Sequence, residues 1–169
     1  MAMEKQKQVS LVLGLVLSLL VTNIAGNADI MKDIALGFGE ALKHCRDESE
    51  LTPEKMQAFF HFWDDDFKFE QRELGCAIEC MSRHFNLLTE EGKMHHDNAD
   101  KFIRSFPKGE QIAQQLLDIV HACETKNEAE EDHCWRVLHT AECFIHSAKE
   151  QNIAPSVDML MAEFVVAES

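Results

Sequence analysis

The sequence predicts an all-α protein whose helices are joined by disulfide bonds. Apolar residues recur every three or four positions along most of the chain, and no segment reads convincingly as a strand. Six cysteines follow an N-terminal segment typical of secreted proteins, and an even number of cysteines in a secreted chain indicates three disulfides. We therefore expect six to seven helices held together by three disulfides.

The N-terminal segment predicts secretion. Lys5 and Lys7 precede an apolar run over residues 9–21, and small residues follow it. This is the pattern of a signal peptide, and the run is shorter than the ~20 residues that cross a bilayer. We place the signal peptide at residues 1–26 and a single domain at 27–169, and we expect the mature protein outside the cell.

The charge of the mature chain excludes some partners. Removing residues 1–26 takes away one glutamate and two lysines, which leaves 14 basic and 29 acidic residues and a net charge of about −15. Nucleic acids and anionic lipid surfaces bind clusters of lysine and arginine. No nucleic-acid partner is therefore predicted.

The first two helices are predicted from apolar spacing and capping residues. Residues 30–45 repeat apolar side chains on one face. The second helix has Thr52 as its N-cap and Pro53 at its first helical position, and it carries apolar residues as far as Trp63. These two helices should pack their apolar faces into a common core.

A third helix over about residues 70–85 carries two cysteines, Cys76 and Cys80. Because they lie four residues apart, they point to one face and can each bond to a different neighbouring element. Zinc sites and redox sites usually have other cysteine spacings. The pair is therefore predicted to be structural.

Three further helices complete the prediction. Asp97 or Asn98 is expected to cap a short helix that ends at Pro107. The last two helices cover residues 110–123 and 134–145, with a polar loop between them. Four of the six predicted helices hold the six cysteines, so the disulfides should set the packing.

Catalytic and metal-binding motifs are not found in the sequence. The acidic run at residues 64–66 lacks the spacing of a calcium loop. His95 and His96 stand beside Asp97, but there is no HExxH motif and no serine in a nucleophile elbow. We predict no enzymatic activity, no metal and no cofactor.

The apolar composition favours an internal cavity. The chain has 11 phenylalanines, two tryptophans and no tyrosine. An ordinary core accounts for most such residues, but a shell held by disulfides also tolerates a cavity that a small domain without them could not keep. We expect an apolar cavity large enough for a ligand.

The cysteine intervals carry a family resemblance. They are 30, 3, 42, 10 and 8 residues, and segments such as RELGCAIECMS, GKMHH and QLLDIVHACE accompany them. In these features the chain resembles the insect odorant-binding proteins, specifically the moth pheromone-binding and general odorant-binding group. The resemblance implies a helical shell around an apolar pocket and the disulfides Cys45–Cys80, Cys76–Cys134 and Cys123–Cys143.

The resemblance also implies a function. It points to a secreted carrier that takes long-chain alcohols, acetates or aldehydes through the sensillar lymph of antennae to olfactory receptors. Ser82 matches a serine that hydrogen-bonds the ligand's oxygen in some members, and Arg136 matches an arginine with the same use, although a surface role for Arg136 is an equal alternative. The implied ligand-binding residues are Phe38, Phe62, Trp63, Ile78, Ser82, Val120, Arg136 and Phe144.

The C-terminal segment, residues 157–168, predicts release of the ligand by acid. It is largely apolar but contains Asp158, Glu163 and Glu168. Charged carboxylates resist burial, and protonation removes that penalty. We expect the segment to stay outside near neutral pH, and to enter the pocket and displace the ligand in mild acid. The resemblance implies the same event and matches His95, His96 and His121 to histidines that gate the pocket.

Several alternatives remain at this point. The segments HFWDDDF and RSFPKGEQ look more like general odorant-binding members, whereas HHDNADKF and AEFVVAE look more like pheromone-binding members, and we favour the latter branch. A saposin-like lipid-binding protein or a receptor-binding signalling protein would also be secreted and helical. A homodimer, and a receptor or membrane surface as the partner at release, are further expectations.

Overall fold

The computed structural model describes residues 26–158 and 160. The helices are α1 over residues 26–40, α2 Leu42–Cys45, α3 Pro53–Ala58, α4 Arg72–His84, α5 His96–Ser105, α6 Ala113–Asn127 and α7 His133–Glu150. Short 3-10 helices cover Phe59–His61 and Gly109–Gln111. One isolated antiparallel bridge joins Leu88 to Met94, and no strand occurs in this part of the chain. The predicted all-α fold is confirmed.

Two helix starts follow the expected capping chemistry. Thr52 precedes α3, and its side chain accepts a hydrogen bond from the backbone N–H of Lys55. Asp132 precedes α7 and accepts in the same way from the N–H of Trp135, at 3.0 Å. In both cases the side-chain oxygen satisfies a backbone donor that the first turn leaves without a partner.

The predicted cap of α5 was wrong. The helix begins at His96, so that Asp97 and Asn98 lie inside its first turn, and no side chain caps it. The backbone N–H of His95 donates to the carbonyl of Leu87 at 2.7 Å, which holds His95 in an extended conformation. The helix therefore begins as soon as this pairing with the preceding loop ends.

The helix α6 is longer than predicted. It continues to Asn127, whose side-chain amide donates to the carbonyl of Cys123 at 2.9 Å. This bond lies at the C-terminal end of the helix and adds a side-chain donor to its last turns. The loop before α7 is consequently confined to residues 128–132.

The three disulfides are Cys45–Cys80, Cys76–Cys134 and Cys123–Cys143, the same pairs that the resemblance implied. They join α2 to α4, α4 to α7 and α6 to α7. The helix α7 packs along both α4 and α6. The cysteine pair of α4 thus ties one helix to two neighbours, and α7 lies at the centre of the fold.

Two clusters of buried side chains form the core. One includes Leu74 and Leu138 between α4 and α7, and the other includes Ile112 and Leu116 beside α6. Trp63 packs against both clusters, and residues of both also line an internal cavity. Among the described helices, none combines the length and hydropathy that crossing a membrane requires.

Candidate functional site

An internal cavity of about 680 Å³ lies between the helices. This volume is within the range of about 300–1,000 Å³ that is usual for small-molecule sites. Every α-helix except α3 contributes to its wall, together with the 3-10 helix that follows α3. The wall includes all eight residues that the resemblance placed there: Phe38, Phe62, Trp63, Ile78, Ser82, Val120, Arg136 and Phe144. Their contact with a ligand stays a prediction.

Most of the wall is apolar, and several of its residues were not singled out from the sequence. They come from α1, α4, α5, α6 and α7, from the turn after α3 and from the loop after α4. The additional apolar residues include Met31, Ile34, Phe59, Phe60, Met81, Leu87, Phe102, Leu117 and Ile145. Helical periodicity had assigned many of these positions to a buried face, but periodicity does not separate a cavity wall from a filled core.

Ser82 supplies a hydroxyl to this apolar wall. It is only 7% exposed and lies on α4, one turn beyond Ile78. The backbone carbonyl of Ser82 accepts from the N–H of Leu87 at 2.8 Å. A hydroxyl in an apolar wall can hydrogen-bond an oxygen-bearing ligand and thereby orient it. Thr140 on α7 also lines the cavity and was not predicted.

The cavity wall becomes polar where it meets the surface. This region, which we call the mouth, is formed by the loop before α5, the start of α5, the end of α6 and the start of α7. Its residues are Thr89, Glu91, Lys93, His96, His121, Glu124, Glu128 and Arg136. Most of these side chains are exposed, so the cavity reaches solvent here.

Arg136 connects two loops at the mouth. Its guanidinium donates to the backbone carbonyl of Glu130 at 3.1 Å and to that of Glu91 at 3.4 Å. The side chain is half-buried and lines the cavity, so Arg136 is more than a residue on the outer surface of α7. It can hold the mouth together and still present further N–H groups to a ligand.

The structure brings two of the three predicted gating histidines together. The rings of His96 and His121 have centroids 5.3 Å apart and meet edge to face at 66°. Both are exposed and line the cavity, so His121 is not a core histidine. His95 does not line the cavity in the described part of the chain.

Glu124 completes a group of metal-ligating side chains at the mouth. It lies one turn after His121 on α6, and the backbone N–H of Met94 donates to its Oε1 at 2.5 Å. One ligating atom each from His96, His121 and Glu124 lies within 4.8 Å of the other two. Within the described part of the chain, these three residues are the group of side chains placed closely enough to share a metal ion.

The beginning of the C-terminal segment reaches the cavity. Asp158 is exposed, whereas Leu160 is buried and lines the cavity wall. Glu163 and Glu168, the other predicted carboxylates of the pH switch, lie outside the described residues. Close to Val157, Lys149 donates to Asp65 at 2.8 Å, and this hydrogen bond lowers the pKa of the Asp65 carboxyl.

A second ion pair lies outside the cavity, beside the Cys76–Cys134 disulfide. The guanidinium of Arg72 donates to Asp132, with both Nε and Nη2 at 2.8 Å from Oδ2. This bond is the main cause of the lowered pKa of Asp132, and the N–H of Trp135 adds to it. The pair joins the beginning of α4 to the N-cap of α7.

Comparisons with known proteins give a consistent result. The model of the PBP/GOBP family matches residues 27–147. General odorant-binding protein 1 of Heliothis virescens is 58% identical over 143 residues, which cover 85% of this chain and 87% of that protein. General odorant-binding protein 1 of Bombyx mori is 59% identical over 137 residues, which cover 81% of this chain and 84% of that protein.

A solved structure shows the same fold. The crystal structure of Epiphyas postvittana Pheromone Binding Protein 3 aligns with a TM-score of 0.61 at 32% identity, over 66% of this chain and 95% of that chain. The identity to the two general odorant-binding proteins is thus higher, contrary to the pheromone-binding branch that the segments HHDNADKF and AEFVVAE favoured. These segments are short, and they are a weaker basis for that choice than identity over most of the chain.

Proposed function

The chain belongs to the PBP/GOBP family, and from this premise we propose that it carries long-chain alcohols, acetates or aldehydes in its internal cavity. This is an odorant- and pheromone-binding family of carriers. The observation that supports the proposal most directly is the cavity of about 680 Å³, apolar over most of its wall. Burial of an alkyl chain there is favoured by about 25 cal/mol per Å² of apolar surface removed from water.

The polar groups of the cavity support a ligand that carries oxygen. The Ser82 hydroxyl lies in the apolar wall, where it can donate to a carbonyl oxygen or bond an alcohol. Arg136 lies at the mouth and can bind the same kind of oxygen when the ligand lies in the opposite orientation. The ligand leaves chemically unchanged, and no catalytic role is assigned to any residue.

The place of action follows from the same premise. We propose that the protein is secreted into the lymph of antennal sensilla and carries its ligand to olfactory receptors. The net charge of the mature chain, about −15, supports a protein that stays in solution among anionic membranes. A receptor or a membrane surface is the proposed partner at the end of this path.

Release is proposed to depend on the carboxylates of the C-terminal segment. Neutral Asp158, Glu163 and Glu168 would allow the segment to enter the cavity and displace the ligand, because burial disfavours a charged carboxylate. The position of Leu160 on the cavity wall supports entry at this point. Asp65 and Lys149, the charged groups that line the groove beside Val157, pair with each other. A gate made by His95, His96 and His121 stays a separate prediction.

Displacement of a fluorescent apolar probe tests the carrier function. A panel of C12 to C18 alcohols, acetates and aldehydes is titrated into the probe complex at pH 7 and at pH 5. Micromolar displacement at pH 7 that is lost at pH 5 is the expected result. No binding at either pH would contradict the carrier function and favour a saposin-like lipid-binding protein or a receptor-binding signalling protein.

Truncation tests the release step separately. A chain that ends at Pro155 lacks the C-terminal segment, and we expect it to keep its ligand at pH 5. The matched control is the full-length chain carrying Glu110→Gln, a neutralised exposed carboxylate in a 3-10 helix apart from the segment. If the truncated chain releases ligand on acidification as the full chain does, the segment is not the displacing group.

A further inference from the structure

We propose that His96, His121 and Glu124 form a binding site for a divalent transition metal, Zn²⁺, at the mouth of the cavity. Two histidines and a carboxylate make a ligand set that zinc commonly uses, with a fourth position left for water. Neither the family match nor the predicted function calls for a metal here. The proposal rests on the geometry of the three side chains and on the contact that holds one of them.

The backbone brings the three side chains together from two helices. His121 and Glu124 are three residues apart on α6 and so share one face. His96 is the first residue of α5 and meets His121 edge to face. One ligating atom of each residue lies within 4.8 Å of the other two.

These separations are close to those of a zinc site. Bonds of about 2.0–2.2 Å place the donor atoms of a tetrahedral site about 3.4 Å apart. The three side chains would therefore approach one another by at most about 1.4 Å. His96 and His121 are exposed, so rotation of their side chains can supply this movement without repacking the core.

A second contact fixes the orientation of the carboxylate. The backbone N–H of Met94 donates to Glu124 Oε1, which leaves Oε2 directed to other partners. Outer contacts of this kind orient the ligands of metal sites and raise the affinity for the metal. Met94 is itself held by the bridge to Leu88, so the contact comes from an ordered part of the loop before α5.

The surroundings of the site favour a cation. The mature chain carries a net charge of about −15, and Glu91 and Glu128 also belong to the mouth. The opposing charges at the mouth are those of Lys93 and Arg136, and Arg136 is engaged with backbone carbonyls. Two imidazoles select zinc over calcium or magnesium, which prefer oxygen ligands.

A bound metal would connect the two sides of the mouth. His96 belongs to α5, whereas His121 and Glu124 belong to α6, so one ion would tie the two helices beside the opening. If the cavity carries the proposed ligand, zinc should slow the exchange of that ligand with solvent. This consequence rests on the proposed function, whereas the metal site itself does not.

Metal binding is tested on the mature chain, residues 27–169, with all disulfides formed. Zn²⁺ is titrated calorimetrically at pH 7.4 in the presence of excess Ca²⁺, and Co²⁺ is added separately so that visible absorption reports tetrahedral coordination. We expect one zinc per chain and at least tenfold weaker binding in His121→Gln and in Glu124→Gln. His146→Gln is the control, because this histidine is exposed on α7 and lies outside the mouth.

The possible results separate the two proposals. Equal zinc binding by the native chain, His121→Gln and Glu124→Gln would overturn the site, as would the absence of binding. Exchange of the fluorescent probe is then followed by stopped flow, with a several-fold slower rate expected in zinc and no effect of zinc in His121→Gln. Zinc binding without a change in the exchange rate would contradict the proposal that the metal slows ligand exchange. Failure of the probe to bind would contradict the carrier function, but the zinc titration would still test the metal site.

Discussion

Gly75 on α4 lies directly against the backbone carbonyl of Cys134 on α7. A Cβ atom on Gly75 would lie 1.9 Å from that carbonyl oxygen, far inside the contact distance of the two atoms. The neighbouring Cys76 forms its disulfide with the same Cys134. The absence of a side chain at Gly75 therefore lets α4 and α7 pack in direct contact beside the disulfide that joins them.

Substitution of Gly75 should therefore destabilise the fold. Gly75→Ala forces α4 away from α7, and we expect the free energy of unfolding to fall by about 2–3 kcal/mol or more. Urea denaturation with the disulfides intact measures the effect. Gly39→Ala is the matched control, because Gly39 is helical and a Cβ there meets no atom within 4 Å. Equal stability of Gly75→Ala and the native chain would contradict the close approach.

Removal of each disulfide should destabilise the fold in the order of the loops that it closes. The sequence separations are 20 residues for Cys123–Cys143, 35 for Cys45–Cys80 and 58 for Cys76–Cys134. Chain entropy alone predicts losses of about 3.3, 3.8 and 4.2 kcal/mol for the three paired serine variants. Urea denaturation measures the loss of unfolding free energy for each variant. If the variant that lacks Cys76–Cys134 shows the smallest loss, the entropy of the unfolded chain is not the dominant contribution.

Acid stability should depend on the ion pair between Arg72 and Asp132. The hydrogen bond from Arg72 lowers the pKa of Asp132 in the folded protein. Its stabilisation is therefore present above the unfolded pKa, about 3.9, and is lost as pH falls through the lower folded pKa. Asp132→Asn can keep the N-cap hydrogen bond while removing the charge. We expect a lower melting temperature than the native chain at pH 6, and a difference that shrinks below about pH 4.

A matched control separates this pair from the general effect of lost negative charge. Asp66→Asn changes the net charge equally, and Asp66 is exposed and forms no ion pair with a described residue. It should not lower the melting temperature at pH 6. A difference for Asp132→Asn that stays constant from pH 6 to pH 2 would exclude the proposed linkage.

The helices could be predicted from the sequence because they depend on regular apolar spacing, whereas the residues of the cavity wall were implied by the family resemblance. Apolar periodicity located the helices, and the cysteine intervals carried the resemblance that implied residues such as Ser82 and Phe144 on the wall. Local patterns could not predict the start of α5, because the bond from the His95 N–H to Leu87 depends on how the loop folds back. His96 and His121 were named as gating histidines, but their grouping with Glu124 was missed for the same reason, since His96 and Glu124 meet only through the packing of α5 against α6.

Ser82 should discriminate between ligands with and without oxygen. Ser82→Ala removes the hydroxyl from the cavity wall and leaves the apolar surface nearly unchanged. We expect hexadecanol to bind about fivefold to tenfold more weakly, because one hydrogen bond is lost. Hexadecane, which has no oxygen, should bind no more weakly. Calorimetry or probe displacement measures both. Thr140→Val is the control, because it also removes a hydroxyl from the cavity wall. An equal loss of affinity for hexadecanol and hexadecane in Ser82→Ala would contradict a hydrogen bond from Ser82 to the ligand's oxygen.

Arg136 should act on ligand exchange by holding the mouth. Arg136→Lys keeps the positive charge, but a single ammonium group cannot reproduce the two separate hydrogen bonds to the carbonyls of Glu130 and Glu91. The loops on either side of the opening should then separate more readily. We therefore expect hexadecanol and hexadecane both to dissociate several-fold faster, as measured by stopped-flow displacement of a fluorescent probe.

The comparison of the two ligands decides between two roles of the arginine. Arg104→Lys is the control for a change of arginine to lysine outside the mouth, because Arg104 pairs with Asp100 on α5 and does not line the cavity. It should leave both dissociation rates unchanged. If Arg136→Lys accelerates hexadecanol alone, Arg136 acts by contact with the ligand's oxygen, since a loosened mouth would release the hydrocarbon at the same increased rate.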